Sequence, residues 1–255
     1  MKCVIHGSGG VGGYYGGCLA RAGHEVFFIA RGAHLEAIQQ QGLSIKSAKG
    51  DFRIETPKSG ERCDPNFDPD LVIVAVKSWQ LPEITEEIKN YCTPSTLILP
   101  LQNGADASDI LADTLGPERV LGGLTKIFSK IEAPGVINHF TGATYIGFGE
   151  YFQDPQFQNA PDSLSDRCRN LEKELDSTPG IDAEAFVDIQ KELWRKMLIF
   201  VSTSGVGTIT RTPNGVFRSI PETREMLIQL IREILMVGQA KKVNIGEDDY
   251  EWAIS

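Results

Sequence analysis

The sequence predicts an α/β fold: an N-terminal domain built on a doubly wound parallel sheet, followed by an all-helical C-terminal domain. Three observations predict it. Residues 2–6 form a β-like run that empties into Gly7-Ser8-Gly9-Gly10-Val11-Gly12 and then into a helical pattern. Apolar runs at 70–76 and 96–101 read as strands buried on both faces, as in a parallel sheet with helices above and below. The last third carries helical periodicity almost throughout.

The first junction organises the rest. In Gly-x-Gly-x-x-Gly, Gly7 makes the tight turn, Gly9 lets the backbone approach a diphosphate, and Gly12 lets the new helix pack close to the sheet. Ser8, Gly10 and Val11 complete the loop, and an anion would rest on the free N–H groups of the helix start. Tyr14, Tyr15, Cys18, Leu19 and Ala22 then recur at helical spacing, and Gly23 stops the helix. In a chain with 26 glycines the motif alone is weak. Its flanking strand and helix favour a dinucleotide over a plain glycine-rich turn or an S-adenosylmethionine site.

Residues 24–30 read as a second strand ending in Arg31, about 20 residues past Gly12. An acid there would hold a ribose 2′-hydroxyl, whereas arginine accommodates a 2′-phosphate. The spacing thus favours NADP(H), a solvated surface arginine being the alternative. A helix at 33–41 and a hairpin at 43–46 and 52–55 follow. Lys77 comes directly after the strand at 70–76, where a side chain faces the ligand crevice, although a lysine there is often only solvated. A crossover helix at 82–91 precedes the strand at 96–101, which ends in Gln102-Asn103-Gly104. Asn103 either makes a turn or presents its amide to a nicotinamide or a substrate carbonyl.

After a helix at 106–115, segments 119–125, 135–140 and 144–148 predict three further strands extending the sheet. A polar connection at 150–163 and a helix at 164–175 follow. In the helix expected at 187–202, Ile189, Leu193, Met197 and Phe200 form a stripe, with Lys196 within it or at its edge. Such a lysine either snorkels or, partly desolvated, becomes a proton donor usable near neutral pH. Residues 203–215 read as a Thr/Gly-rich segment closing in a Pro213-Asn214-Gly215 turn, with helices at 221–242 and from 247 onward. The expected domains are 1–178 and 179–255.

A chain of 255 residues with 41% hydrophobic and 23% charged residues is that of a soluble globular protein. No apolar run approaches the ~18 residues of a membrane span, and Met1-Lys2 leads straight into a strand, so a cytoplasmic location is expected. Five scattered cysteines without a Cys-x-x-Cys pair suggest neither a disulfide framework nor a zinc site, and no metal is expected. A net charge of -9 argues against nucleic acid as partner. Binding an anionic cofactor then requires positive charge concentrated locally.

GSGGVG at 7–12, Arg31, VKSWQ at 76–80, QNG at 102–104, ELWRKM at 192–197 and PNG at 213–215, in that order, resemble the ketopantoate reductase family. The resemblance implies a Rossmann-type NADP-binding domain and a helical domain like the C-terminal domain of 6-phosphogluconate dehydrogenase. It implies NADPH-dependent reduction of a small 2-oxo acid, 2-dehydropantoate to pantoate in pantothenate and coenzyme A synthesis, in the cleft between the domains. Gly7, Ser8, Gly9, Gly10, Val11 and Gly12 would cradle the pyrophosphate, and Arg31 and Lys77 would hold the 2′-phosphate end. Asn103 would lie at the nicotinamide and substrate, Lys196 would be the general acid, and Ser204 and Asn214 would help hold the substrate. A homodimer is compatible with this reading.

Two departures qualify the resemblance. Phe200 and Ser204 stand where the family carries asparagines, and the family's last helices have no counterpart before Ser255, so the chain reads as a truncated or degenerate member. Two alternatives stay open: reduction of a different, more apolar 2-oxo acid, and a non-catalytic NADPH-binding or redox-sensing role.

Overall fold

Cys3, Val4 and Ile5 give β1 (Lys2–His6) an apolar side chain on each face in turn, which suits a strand covered from both sides. The computed structural model describes residues 1–152 and 163–255, so most of the expected connection at 150–163 lies outside the described residues. Contacts divide the chain into two compact units, Met1–Ile189 and Gln190–Ser255.

In the first unit, β1 leads into α1 (Gly10–Arg21), β2 (Glu25–Ile29), α2 (Gly32–Gln41), β3 (Leu43–Ser47), β4 (Phe52–Ile54) and β5 (Lys58–Gly60). There follow β6 (Leu71–Val74), a single 3-10 turn at Ser78–Gln80, α3 (Leu81–Lys89), β7 (Leu97–Pro100) and α4 (Ala107–Leu115). A parallel sheet runs in the order β5-β2-β1-β6-β7. On one face Ile5, Phe28, Ile73 and Leu99 pack with Tyr14, Tyr15 and Leu19 of α1. On the other, Val4, Val72 and Ile98 pack with Ile84 and Ile88 of α3 and Leu111 of α4. Two cores on two faces of one sheet make the doubly wound arrangement that the apolar runs predict.

The three strands expected at 119–148 are corrected. They form two long strands, β8 (Leu121–Ala133) and β9 (Val136–Glu150), in a second sheet. The gap between the strands expected at 135–140 and 144–148 is absorbed by a register shift: Ile127 pairs with Thr144 and Ser129 with His139. Among the described residues, the first sheet keeps one bridge to this segment, Ile98 to Val120. The predicted hairpin β3–β4 also belongs to the second sheet, through parallel pairing of β3 with β9. α5 (Asp166–Asp176) is capped by the Ser165 hydroxyl, which accepts from the Cys168 N–H at 3.2 Å. β10 (Asp182–Phe186), unmarked by any strong apolar run, pairs with β9 and so belongs with the sheets.

The second unit is helical: α6 (Ile189–Thr210, its first residue in the first unit), α7 (Asn214–Ser219), α8 (Pro221–Ala240) and α9 (Glu247–Ile254). α6 runs eight residues further than the expected helix at 187–202. Its late threonines donate to carbonyls one turn back, Thr203 to Ile199 at 2.6 Å, Thr208 to Ser204 at 2.7 Å and Thr210 to Val206 at 2.8 Å. Hydroxyls satisfied this way stay inside a helix rather than breaking it. Asn214 begins α7 instead of closing a free turn, because the Val216 N–H reaches back to the Pro213 carbonyl. No helix among the described residues is long and apolar enough to cross a membrane.

A Cβ on Gly12 would lie 2.3 Å from the Gly7 carbonyl oxygen and 2.8 Å from Ile5 Cγ2. Backbone cannot yield as a flexible side chain does, so Gly12→Ala is expected to destabilise the fold by about 1–3 kcal/mol in urea unfolding. An unchanged midpoint would count against this packing. His6, 1% exposed, holds its Nδ1 2.9 Å from the Tyr91 hydroxyl, and burial, assisted by the charge of Arg31, pushes its pKa down to about 4. The unfolded chain takes up this proton below about pH 6.5 while the folded chain refuses it, so stability falls as pH drops through that window. The loss at full extent is on the order of 3 kcal/mol. His6→Asn should flatten the slope between about pH 6.5 and 4.5 relative to wild type, the carboxylates contributing equally to both. Parallel slopes for variant and wild type would refute the assignment.

Candidate active site

The carboxyl ends of β1, β2, β6 and β7 open into a cavity of about 680 Å³, where ligands bind in open α/β sheets. His6 to Val11 form its floor, Ile29 to Arg31 and His34 one side, Ala75 to Gln80 another, and Leu101 to Asn103 a third. Ser129 and Ile131 of β8 close it from the second sheet.

Each glycine of the turn meets a different constraint. Gly7 sits at φ +103, a left-handed conformation, with Val76 Cγ1 2.8 Å from where a Cβ would be. At Gly10 that position is 2.5 Å from the Ser129 carbonyl oxygen. At Gly9 no atom lies within 4 Å, leaving room for a ligand. Gly12 is absent from the cavity wall and does the packing work already described. The Ser8 N–H donates to the Ile29 carbonyl at 2.9 Å, tying the turn to the end of β2. The N–H groups of α1's first turn have no intrahelical acceptors, which makes this an anion-binding terminus.

Positive charge gathers at the same rim. Arg31 precedes α2 and Lys77 follows β6, both exposed. The field of Arg31 opposes the protonation of His6 and partly offsets the burial that raises the Glu87 pKa. Among the described residues the lining holds no carboxylate. The side-chain oxygens of Ser8, Gln102 and Ser129 are buried in the wall without a protein hydrogen-bond partner. Open space at Gly9 and the free N–H groups of a helix start fit the diphosphate of a dinucleotide.

Sequence reasoning singled out Gly7, Ser8, Gly9, Gly10, Val11, Arg31, Lys77 and Asn103, and the fold brings all eight to this one cavity. It passed over His6, His34, Gln102, Trp79 and Ser129, which line it too. Gln102 is 7% exposed and donates its amide to the Val74 and Val76 carbonyls, both at 3.1 Å, fixing the end of β6. Its signals in the sequence are its place closing an apolar strand and its membership of the Gln102-Asn103-Gly104 segment. Gln80 accepts from the Lys77 N–H at 3.1 Å and thereby shapes the turn that carries Lys77 and the 76% exposed Trp79.

Lys196, Ser204 and Asn214 belong to the second unit. Lys196 is half-buried on α6, its Nζ 5.9 Å from the centroid of the Phe200 ring. The stripe expected around it holds at Ile189 and Leu193 and is corrected beyond them: the buried face of α6 continues through Trp194, Leu198, Ser202 and Val206, Met197 is half-buried and Phe200 is 44% exposed. Ser202 takes an inward position because its hydroxyl bonds to the Leu198 carbonyl. Arg195 is held by Glu192 at 3.1 Å and by the buried Asp249 of α9 at 3.2 Å. Ser204 and Asn214 are both exposed.

Comparison with known proteins agrees with this architecture. Residues 3–151 match the profile of the ketopantoate reductase PanE/ApbA family, and residues 188–254 match that of the family's C-terminal region. An uncharacterised oxidoreductase of Bacillus subtilis, YkpB, is 32% identical over 241 residues, 93% of this chain and 74% of the relative. A 2-dehydropantoate 2-reductase of Pyrococcus abyssi is 28% identical over 235 residues, 91% of this chain and 72% of the relative. The crystal structure of 2-dehydropantoate 2-reductase from Porphyromonas gingivalis superposes with a TM-score of 0.86 at 27% identity, covering 100% of this chain and 87% of that one. With a glycine-turn cleft at the carboxyl edge of a doubly wound sheet and both family profiles matched in order, the chain belongs to the ketopantoate reductase PanE/ApbA family and is an oxidoreductase served by a nicotinamide cofactor.

Proposed function

We propose that this chain reduces a 2-oxo acid with NADPH, and that 2-dehydropantoate, the substrate that names its relatives, is that acid. One observation carries the reading: a single cavity joins the glycine turn, Arg31, Lys77 and Asn103 and has no carboxylate among the described residues of its lining. A free ribose 2′-hydroxyl is usually met by an acid, whereas a 2′-phosphate is met by arginine. In this reading the backbone of Gly7 to Gly12 holds the pyrophosphate. Arg31 and Lys77 receive the 2′-phosphate, the planar guanidinium matching its oxygens.

The nicotinamide supplies the hydride. Asn103 positions the carboxamide and the substrate carbonyl. Lys196 holds the ketone oxygen and delivers a proton to the alkoxide, where an ammonium best stabilises developing negative charge. Ser204 and Asn214 help retain the substrate. The exposed Phe200 ring one turn from Lys196 favours a second reading, a more apolar 2-oxo acid. A panel of 2-oxo acids assayed by NADPH oxidation separates the two: preference for a bulkier apolar acid over 2-dehydropantoate would replace the first reading.

Arg31→Ala should raise the KM for NADPH on the order of tenfold or more, while that for NADH changes little. Equal wild-type affinity for the two cofactors would remove the NADPH assignment. Lys196→Ala should lower kcat by about 10²–10⁴-fold with the Kd for NADPH nearly unchanged. A variant that keeps its turnover would eliminate Lys196 as the acid.

A further inference from the structure

His34 lies on α2, three residues past Arg31, and was not marked by any sequence motif. Both of its ring nitrogens are committed to backbone groups distant in the chain. The Gly135 N–H donates to Nδ1 at 3.0 Å, and Nε2 lies 2.9 Å from the Ser8 carbonyl oxygen. Because Nδ1 must accept, the proton of the neutral ring sits on Nε2, which donates to Ser8. Burial lowers the pKa of the ring from its ordinary value, which favours this neutral form. Gly135 is itself pinned: its carbonyl accepts from the Ser44 N–H at 2.9 Å, and its φ of +74 closes the turn between β8 and β9. The imidazole therefore braces the glycine-rich turn against the second sheet.

The brace acts on the peptide that matters for an anion. In a trans peptide the C=O and the following N–H point in opposite directions. Fixing the Ser8 carbonyl toward His34 fixes the Ser8–Gly9 plane and turns the Gly9 N–H away from the imidazole. A carbonyl oxygen left free to rotate into the turn would set its negative end against a bound diphosphate.

We propose that His34 is a positioning residue for the dinucleotide: through a neutral, Nε2-protonated ring it holds the Ser8 carbonyl off the diphosphate site and keeps the turn preorganised. This rests on reading the cavity as the dinucleotide cleft. Glutamine carries a carbonyl acceptor beside an NH2 donor group and never ionises, so it can span the same two backbone groups.

The test titrates wild type, His34→Ala and His34→Gln with NADPH by fluorescence, alongside steady-state kinetics and thermal melting. His34→Ala should weaken the Kd and raise the KM for NADPH about tenfold with kcat within about twofold, and His34→Gln should stay within about threefold of wild type. Nitrogen-15 shifts of the ring in the cofactor-free wild type should report the Nε2–H tautomer, a readout independent of how either variant folds. Unchanged NADPH affinity in His34→Ala, a glutamine variant as weak as the alanine one, or an Nδ1–H ring would each overturn the proposal. A wild type that binds neither NADPH nor NADH would instead defeat the cleft reading, and this inference with it.

Discussion

At Gly12 the place a Cβ would occupy is 2.3 Å from the carbonyl oxygen of Gly7, so the turn off β1 and the start of α1 meet backbone to backbone. This contact seats α1 on the face of the sheet made by Ile5, Phe28 and Ile73, and brings its unpaired N–H groups to the carboxyl edge. The carbonyl of Ser129 then comes within 2.5 Å of where a Cβ on Gly10 would stand, which brings the second sheet up to the same turn. A side chain at either position would push these layers apart. The turn, α1 and β8 can approach this closely because Gly10 and Gly12 carry no Cβ.

Charge is distributed with the same economy. The chain is acidic, with a formal net charge of -9, yet Arg31 and Lys77 stand at the cavity rim without a carboxylate in the lining among the described residues. Local potential, not net charge, is what a phosphorylated ligand meets. Burial holds the pKa of both histidines of this region below the ordinary value, at His6 helped by the charge of Arg31 and at His34 against the pull of the Ser8 carbonyl, which favours the charged ring. A neutral imidazole can offer a donor and an acceptor at once, which an imidazolium cannot.

The second unit stabilises its helices by internal satisfaction. Serine and threonine hydroxyls along α6 bond to carbonyls of the preceding turn, and Asp249 both accepts from the Gly246 N–H at the start of α9 and holds Arg195 of α6. Lys196 stands beside Arg195 on this helix but off its most buried line.

Sequence alone determined what depends on neighbours along the chain: β1, the glycine turn, α1, the parallel strands at 71–74 and 97–100, and the positions of Arg31, Lys77 and Asn103 at strand ends. Periodicity, glycine placement and strand-end position are local properties, and each was legible in a dozen residues. Only tertiary structure decided the second sheet, where the gap between the strands expected at 135–140 and 144–148 is absorbed into a register shift between β8 and β9. It alone turned Phe200 outward and Ser202 inward, because helix burial follows packing partners rather than residue polarity. It alone joined His34 to Gly135, about a hundred residues apart, since a hydrogen bond to a backbone N–H leaves no mark on the identity of the residue that donates it.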